Sequence, residues 1–178
     1  MSWKNTASGY GWVHIGLHWG MAVMIAVLLP LGLWMTGLDY YDPWYRKGPD
    51  LHRAIGVILG MVLMARIAWR LGNPVPKTLG ATGVEKRLAS AAHLLLYLLP
   101  VLLVTSGYLI STADGRAVDV FGWFEIPATL QGMDGQEDIA GDIHFILAMV
   151  LLTVVGLSLI HISEPTRLDA RSRMPSSA

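Results

Sequence analysis

Residues 51–71 read LHRAIGVILGMVLMARIAWRL, and between Arg53 and Arg66 no side chain is charged. A helix of about 20 apolar residues crosses the roughly 30 Å hydrocarbon core of a bilayer. Lipid offers no hydrogen-bond partner to the backbone, so a spanning segment must satisfy its own amides, and a helix does so. Three more runs have the same character, at about 14–36, 89–112 and 141–161. The expected fold is therefore all-α: an integral membrane four-helix bundle forming one domain over residues 1–161. Pro30 and Pro100 fall inside two of the runs, where a membrane helix is expected to kink rather than stop. The first run is too long for a signal-peptide core, contains His14 and His18, and lacks a small-residue cleavage site at the right place, so it reads as a retained helix.

Composition supports the lipid reading. Charged residues make up 15% of the 178, against about a quarter in soluble domains, and the mean hydropathy is +0.48. Net charge is zero, so nothing points to nucleic acid. The chain has no cysteine, which excludes disulfides, thiolate metal sites, iron–sulfur clusters and thiol-attached haem.

The connections suggest an orientation. Arg66, Arg70, Lys77, Lys86 and Arg87 surround the second connection with Glu85 as the single acid, and Asn73–Gly83, with Pro74 and Pro76, reads as a loop. The third connection carries Asp114, Asp119, Glu125, Asp134, Glu137, Asp138 and Asp142 against Arg116. Excess Lys and Arg marks the cytoplasmic side, so both termini are expected in the cytoplasm. Trp12, Trp19, Tyr40, Tyr41, Trp44, Tyr45 and Trp123 stand near helix ends, where amphipathic rings settle.

Four of the six histidines fall at two depths. His18 and His93 start helices one and three from the inner side; His52 and His144 start helices two and four from the outer side. An imidazole on each of two facing helices is the axial arrangement that holds a haem inside a bundle. Fourteen residues make nearly four turns, so residues so spaced share a face and differ in depth by about 21 Å. That step leads from His18 to Gly32 and from His93 to Gly107, level with the outer histidines, where glycine admits a flat bulky ligand to the helix backbone. From His52 it leads to Arg66, level with the inner pair and suited to a haem propionate or a quinone oxygen. Gly56 and Gly60 thin the same helix for a haem or a neighbouring helix. Zinc fits less well, because no intramembrane carboxylate or thiolate joins the imidazoles. His14, one turn from His18, is expected at the interface.

The segments GLHW (16–19), LDYYDPWYRKGPDLHRAIG (38–56), AAHLLLY (91–97), SGYLISTADGR (106–116), VFGWFEIPA (120–128) and IHF (143–145) resemble the prokaryotic cytochrome b561 family. The resemblance spans about residues 3–157 and is nearest to the family's small dihaem superoxide-oxidising members. It implies a bacterial inner-membrane protein with two non-covalent haem b groups, held by His18 and His93 on the inner side and by His52 and His144 on the outer. The implied reaction oxidises superoxide and delivers the electrons to ubiquinone. Arg46, Lys47, Arg53 and Arg116 would then steer the anion, unless they serve only to offset Asp39, Asp42 and Asp50. Arg66 and Arg70 would lie near a propionate or the quinone, or act as interfacial anchors. A second class of function stays open: a cytochrome b subunit that docks a periplasmic dehydrogenase or hydrogenase and feeds the quinone pool. A non-redox metal carrier is a third.

The C-terminal end departs from the family pattern. Ser158 stands fourteen residues after His144, where that pattern leads one to expect a histidine near the quinone. His161 lies about 100° round the helix from that face and is a poor substitute. Residues 162–178, polar and containing Pro165, read as a disordered tail foreign to the bundle.

Overall fold

The computed structural model describes residues 2–6, 9–74 and 83–163. Four helices, α1 (Trp12–Met35), α2 (Lys47–Leu71), α3 (Gly83–Thr112) and α4 (Gln136–Ser163), account for most of them. All four are long and apolar enough to cross a membrane. Val23, Val27, Met61, Met64, Leu94, Leu102 and Leu152 are exposed on their outer faces, as expected where lipid rather than protein covers the surface. Neither proline stops its helix: α1 runs through Pro30 and α3 through Pro100.

The helices begin earlier than hydropathy alone suggests, because apolarity registers the hydrocarbon-embedded part and a helix continues into the interface. The start of α2 at Lys47 places Pro49 in the first turn, where the missing amide hydrogen has no intrahelical partner to lose. The start of α4 at Gln136 puts Glu137 and Asp138 in its first turn, a favourable place for negative charge at a helix N-terminus. Helix α4 also reaches Ser163, two residues beyond the expected limit. The expected tail otherwise falls on residues 164–178, and most of the second connection, Lys77 included, on 75–82; both lie outside the described residues, as do the side chains of Glu85, Lys86 and His161.

Helix α2 packs against α1 on one side and α3 on the other, and α3 packs along α4. Met21, Leu28, Leu59 and Leu63 form the buried core, covered by Ile25, Ile55, Val62, Ile67, Tyr97 and Val101. Gly60 brings α3 close: a Cβ there would lie 2.9 Å from Val104 Cγ1, so only hydrogen fits without a shift.

The third connection contains a hairpin. Strands β1 (Val118–Val120) and β2 (Phe124–Ile126) pair antiparallel, with Val118 opposite Ile126 and Val120 opposite Phe124. Val118 and Val120 are buried, and β1 rests on α2. The turn holds Phe121 at φ 54° and Gly122 at φ 71°. Left-handed backbone costs a residue with a side chain roughly 1–2 kcal/mol. The Asp119 carboxylate offsets part of this by accepting the Gly122 amide at 3.1 Å. The rest of the connection is tied to the end of α3. The Tyr108 hydroxyl bonds Pro127 carbonyl at 2.8 Å, and Gln136 Nε2 donates to the carbonyls of Leu109 and Leu130.

At the opposite end the N-terminal segment folds back on the bundle. Trp12 amide donates to Ser2 carbonyl, Gly11 amide to Asn5 Oδ1, and Asn5 Nδ2 to Pro74 carbonyl at 3.1 Å.

Candidate haem site

His52 projects from the second turn of α2 and His144 from the third turn of α4. These two helices are not packed along each other, yet their imidazoles reach across the gap to a ring-centroid separation of 6.1 Å, inclined at 72°. Metal–imidazole bonds of about 2 Å on either side of one ion put the centroids roughly 6 Å apart. The pair is therefore spaced as two imidazoles that would hold a single metal between them.

The second-sphere contacts agree with that use. His144 Nδ1 lies 3.0 Å from Leu103 carbonyl and 3.0 Å from Ser106 Oγ. A carbonyl only accepts, so Nδ1 carries the proton and Nε2 keeps its lone pair for a metal. His52 Nδ1 is buried and has no partner. Each imidazole lies against a glycine of the adjacent helix. A Cβ on Gly32 would sit 3.1 Å from His52 Cε1, and one on Gly107 would sit 3.3 Å from His144 Cε1. The fourteen-residue step thus puts both glycines beside the outer histidines, where they meet the imidazoles themselves. Gly56, one turn inward from His52, has nothing within 4 Å. Among the described residues no group of three or more His, Cys, Asp or Glu gathers. Two imidazoles suit a metal whose remaining ligands come from a macrocycle, as in haem, better than tetrahedral zinc.

His18 and His93 form no ring contact with each other among the described residues. Both are exposed, and the ring contact of His18 is an edge approach to Trp19. Helices α1 and α3 each pack on α2. His14 is only 8% exposed and stacks on Tyr10 at 4.3 Å, because the folded-back N-terminus brings that ring over it. Nearby, the guanidinium groups of Arg66 and Arg70 both stand 5.1 Å from the centre of the Tyr97 ring.

The four outer cations divide into two kinds. Arg53 is paired with Asp50 at 2.6 Å, and Arg116 is paired with Asp114. The Arg116 hydrogen bonds hold the Asp114 carboxyl below its ordinary range, and Asp114 in turn raises Arg116. Arg46 and Lys47 are exposed, with no ion pair among the described residues. Asp39 and Asp42 cap backbone amides of Tyr41 and Trp44 rather than neutralising them. Arg53 and Arg116 face each other across a pocket of about 230 Å³, with Asp50, Asp119 and Val118 in its wall.

Sequence reasoning missed Ser106 and the Leu103 carbonyl, which orient His144, and Tyr97, which gathers the inner arginines. The signal for Ser106 is its place beside Gly107; that for Tyr97 is its position one turn after His93.

The prokaryotic cytochrome b561 family model matches residues 9–163. The chain belongs to that family. It is also 48% identical over 162 residues to cytochrome b561 homolog 2 of Escherichia coli (strain K12), covering 90% of this chain and 85% of that protein. As a cytochrome b561, the chain is a bacterial membrane electron-transfer protein, and membership implies haem b as its cofactor. Haem, when bound, would supply a one-electron carrier; His52 and His144 would hold it, with Leu103 carbonyl and Ser106 orienting His144.

Proposed function

We propose that this cytochrome b561 oxidises superoxide at its outer end and passes the electrons through two haems to ubiquinone at its inner end. His52 and His144 hold the outer haem, and His18 and His93 the inner one. Both termini face the cytoplasm, in line with the Lys and Arg distribution. The observation that carries the reading is the His52–His144 pair, 6.1 Å apart with Nδ1 of His144 anchored. Two superoxide ions each lose one electron and leave as dioxygen. Ubiquinone takes those two electrons with two protons and leaves as ubiquinol. Arg46 and Lys47, with no ion pair among the described residues, supply the outer positive field that draws an anion inward, while Arg53 and Arg116 are largely offset by their carboxylates. Arg66 and Arg70 lie at the inner end where the quinone would be reduced.

A second reading rests on the hairpin, where Phe121, Trp123 and Phe124 are exposed, Trp123 to 75%. Such a display suits docking of a periplasmic redox partner, with this chain as its cytochrome b subunit. Purified protein in ubiquinone-containing proteoliposomes, supplied with enzymatically generated superoxide, separates the two. Ubiquinol formation without any partner supports the enzyme. Haem-loaded protein that leaves superoxide untouched would refute it and favour the subunit.

A further inference from the structure

Two cations and two unpartnered polar atoms meet at the inner end of α2 and α3. Arg66 and Arg70 share the Tyr97 ring, and neither forms an ion pair among the described residues. Arg66 Nε and the Tyr97 hydroxyl are buried with no hydrogen-bond partner among the described residues. The one polar contact of the Arg66 side chain there is a weak one, from Nη1 to Met21 Sδ at 3.7 Å.

Two guanidinium groups four residues apart on one helix repel each other. An aromatic face compensates only in part, and a membrane-embedded cation normally finds an anionic or carbonyl partner. Among the described residues the two guanidinium groups meet no carboxylate, and the acceptors at hand, the Tyr97 hydroxyl and Met21 sulfur, are neutral and weak. A partner that completes the cluster carries acceptor oxygens and negative charge.

The geometry points to an oxyanion-binding site formed by Arg66, Arg70 and Tyr97. The ligand is a carboxylate or phosphate group: a propionate of the inner haem, or the headgroup of an anionic phospholipid in the cytoplasmic leaflet. The propionate source rests on the dihaem reading; the lipid source does not. Arginine suits either, since its planar fork grips two oxygens at once.

The test uses purified protein in neutral detergent, with haem content measured first, and compares R66Q, R70Q, R70K and Y97F with R87Q, which removes an exposed charge elsewhere on α3. One measurement is a reduced-minus-oxidised infrared spectrum together with the inner-haem midpoint potential. The other is the melting temperature with phosphatidylglycerol or phosphatidylcholine added. If the ligand is a propionate, R66Q and R70Q shift the carboxylate bands. They also lower the reduced-to-oxidised ratio of the inner haem about threefold or more at a fixed ambient potential, whereas R70K, which keeps the charge but not the fork, shifts the ratio less than R70Q, and R87Q leaves both near the parent values. If the ligand is a lipid phosphate, those bands stay put. The parent then gains melting temperature with phosphatidylglycerol alone, and R66Q and R70Q lose that gain while R87Q keeps it. Y97F follows R70Q in direction in either case and serves where R66Q or R70Q does not fold. Neither pattern, in R66Q, R70Q or Y97F proteins that remain folded, overturns the site. Protein without haem would refute the dihaem reading, and the lipid measurement would still decide the site.

Discussion

Gly107 offers the sharpest test of the outer centre. A Cβ at this position would sit 3.3 Å from His144 Cε1 and 3.5 Å from its Nδ1, whereas relaxed contacts between carbons lie at about 3.5–4.0 Å. Gly107→Ala therefore asks the imidazole to retreat by a few tenths of an ångström. The ring has little room to do so, because Nδ1 is held at 3.0 Å by both Leu103 carbonyl and Ser106 Oγ. Overpacking of this kind costs about 1–3 kcal/mol, enough to weaken haem binding at that site by roughly 5- to 150-fold. Alanine also favours the helix over glycine by about 0.5–1 kcal/mol, which offsets only part of that cost in the haem-free protein, so its melting temperature should fall slightly. The expected pattern is haem content that falls with residue size, deepening from Gly107→Ala to Val to Leu. Haem-to-protein stoichiometry and the reduced-minus-oxidised spectrum measure it. A Gly107→Leu protein that retains both haems with an unaltered spectrum would show that His144 is not an axial ligand oriented through this contact.

Replacing His52 or His144 by alanine should each remove about half the haem and spare the inner centre; retention of the full spectrum by either variant would break the proposed pair. The R46Q/K47Q double variant should slow superoxide consumption several-fold at low ionic strength, with the difference fading in salt of about 1 M, where the Debye length is about 3 Å. R116Q should change that rate less, because the Asp114 carboxylate already offsets its charge. Asp114 has a depressed carboxyl, so its bond to Arg116 persists at and above the ordinary carboxylate range and is lost as pH falls through the lower folded value. Trp123 fluorescence in the neighbouring hairpin should report that loosening on acidification, and Asp114→Asn should remove the transition.

The helix count, the family and the glycines beside His52 and His144 were legible along the chain. Each depends on position within one helix, where rise and angle per residue are constant; the step from His93 to Gly107 therefore puts that glycine beside His144. Motifs such as LDYYDPWYRKGPDLHRAIG and VFGWFEIPA carry the family in the letters themselves. The hairpin was readable only in hindsight, from the alternation of Val118, Asp119 and Val120 before Gly122.

Lateral neighbours were another matter, because they depend on which helices touch. Only the packed structure sets His52 against His144 across two helices that do not pack together. Ion pairing is likewise a matter of reach: nothing in composition says that Arg53 and Arg116 find carboxylates while Arg46 and Lys47 do not. Tertiary structure also buried His14, by returning the N-terminus over it, and collected Arg66 and Arg70 on one tyrosine. Helical periodicity determines height and facing within a span, while contacts between spans follow from packing of segments far apart in the chain.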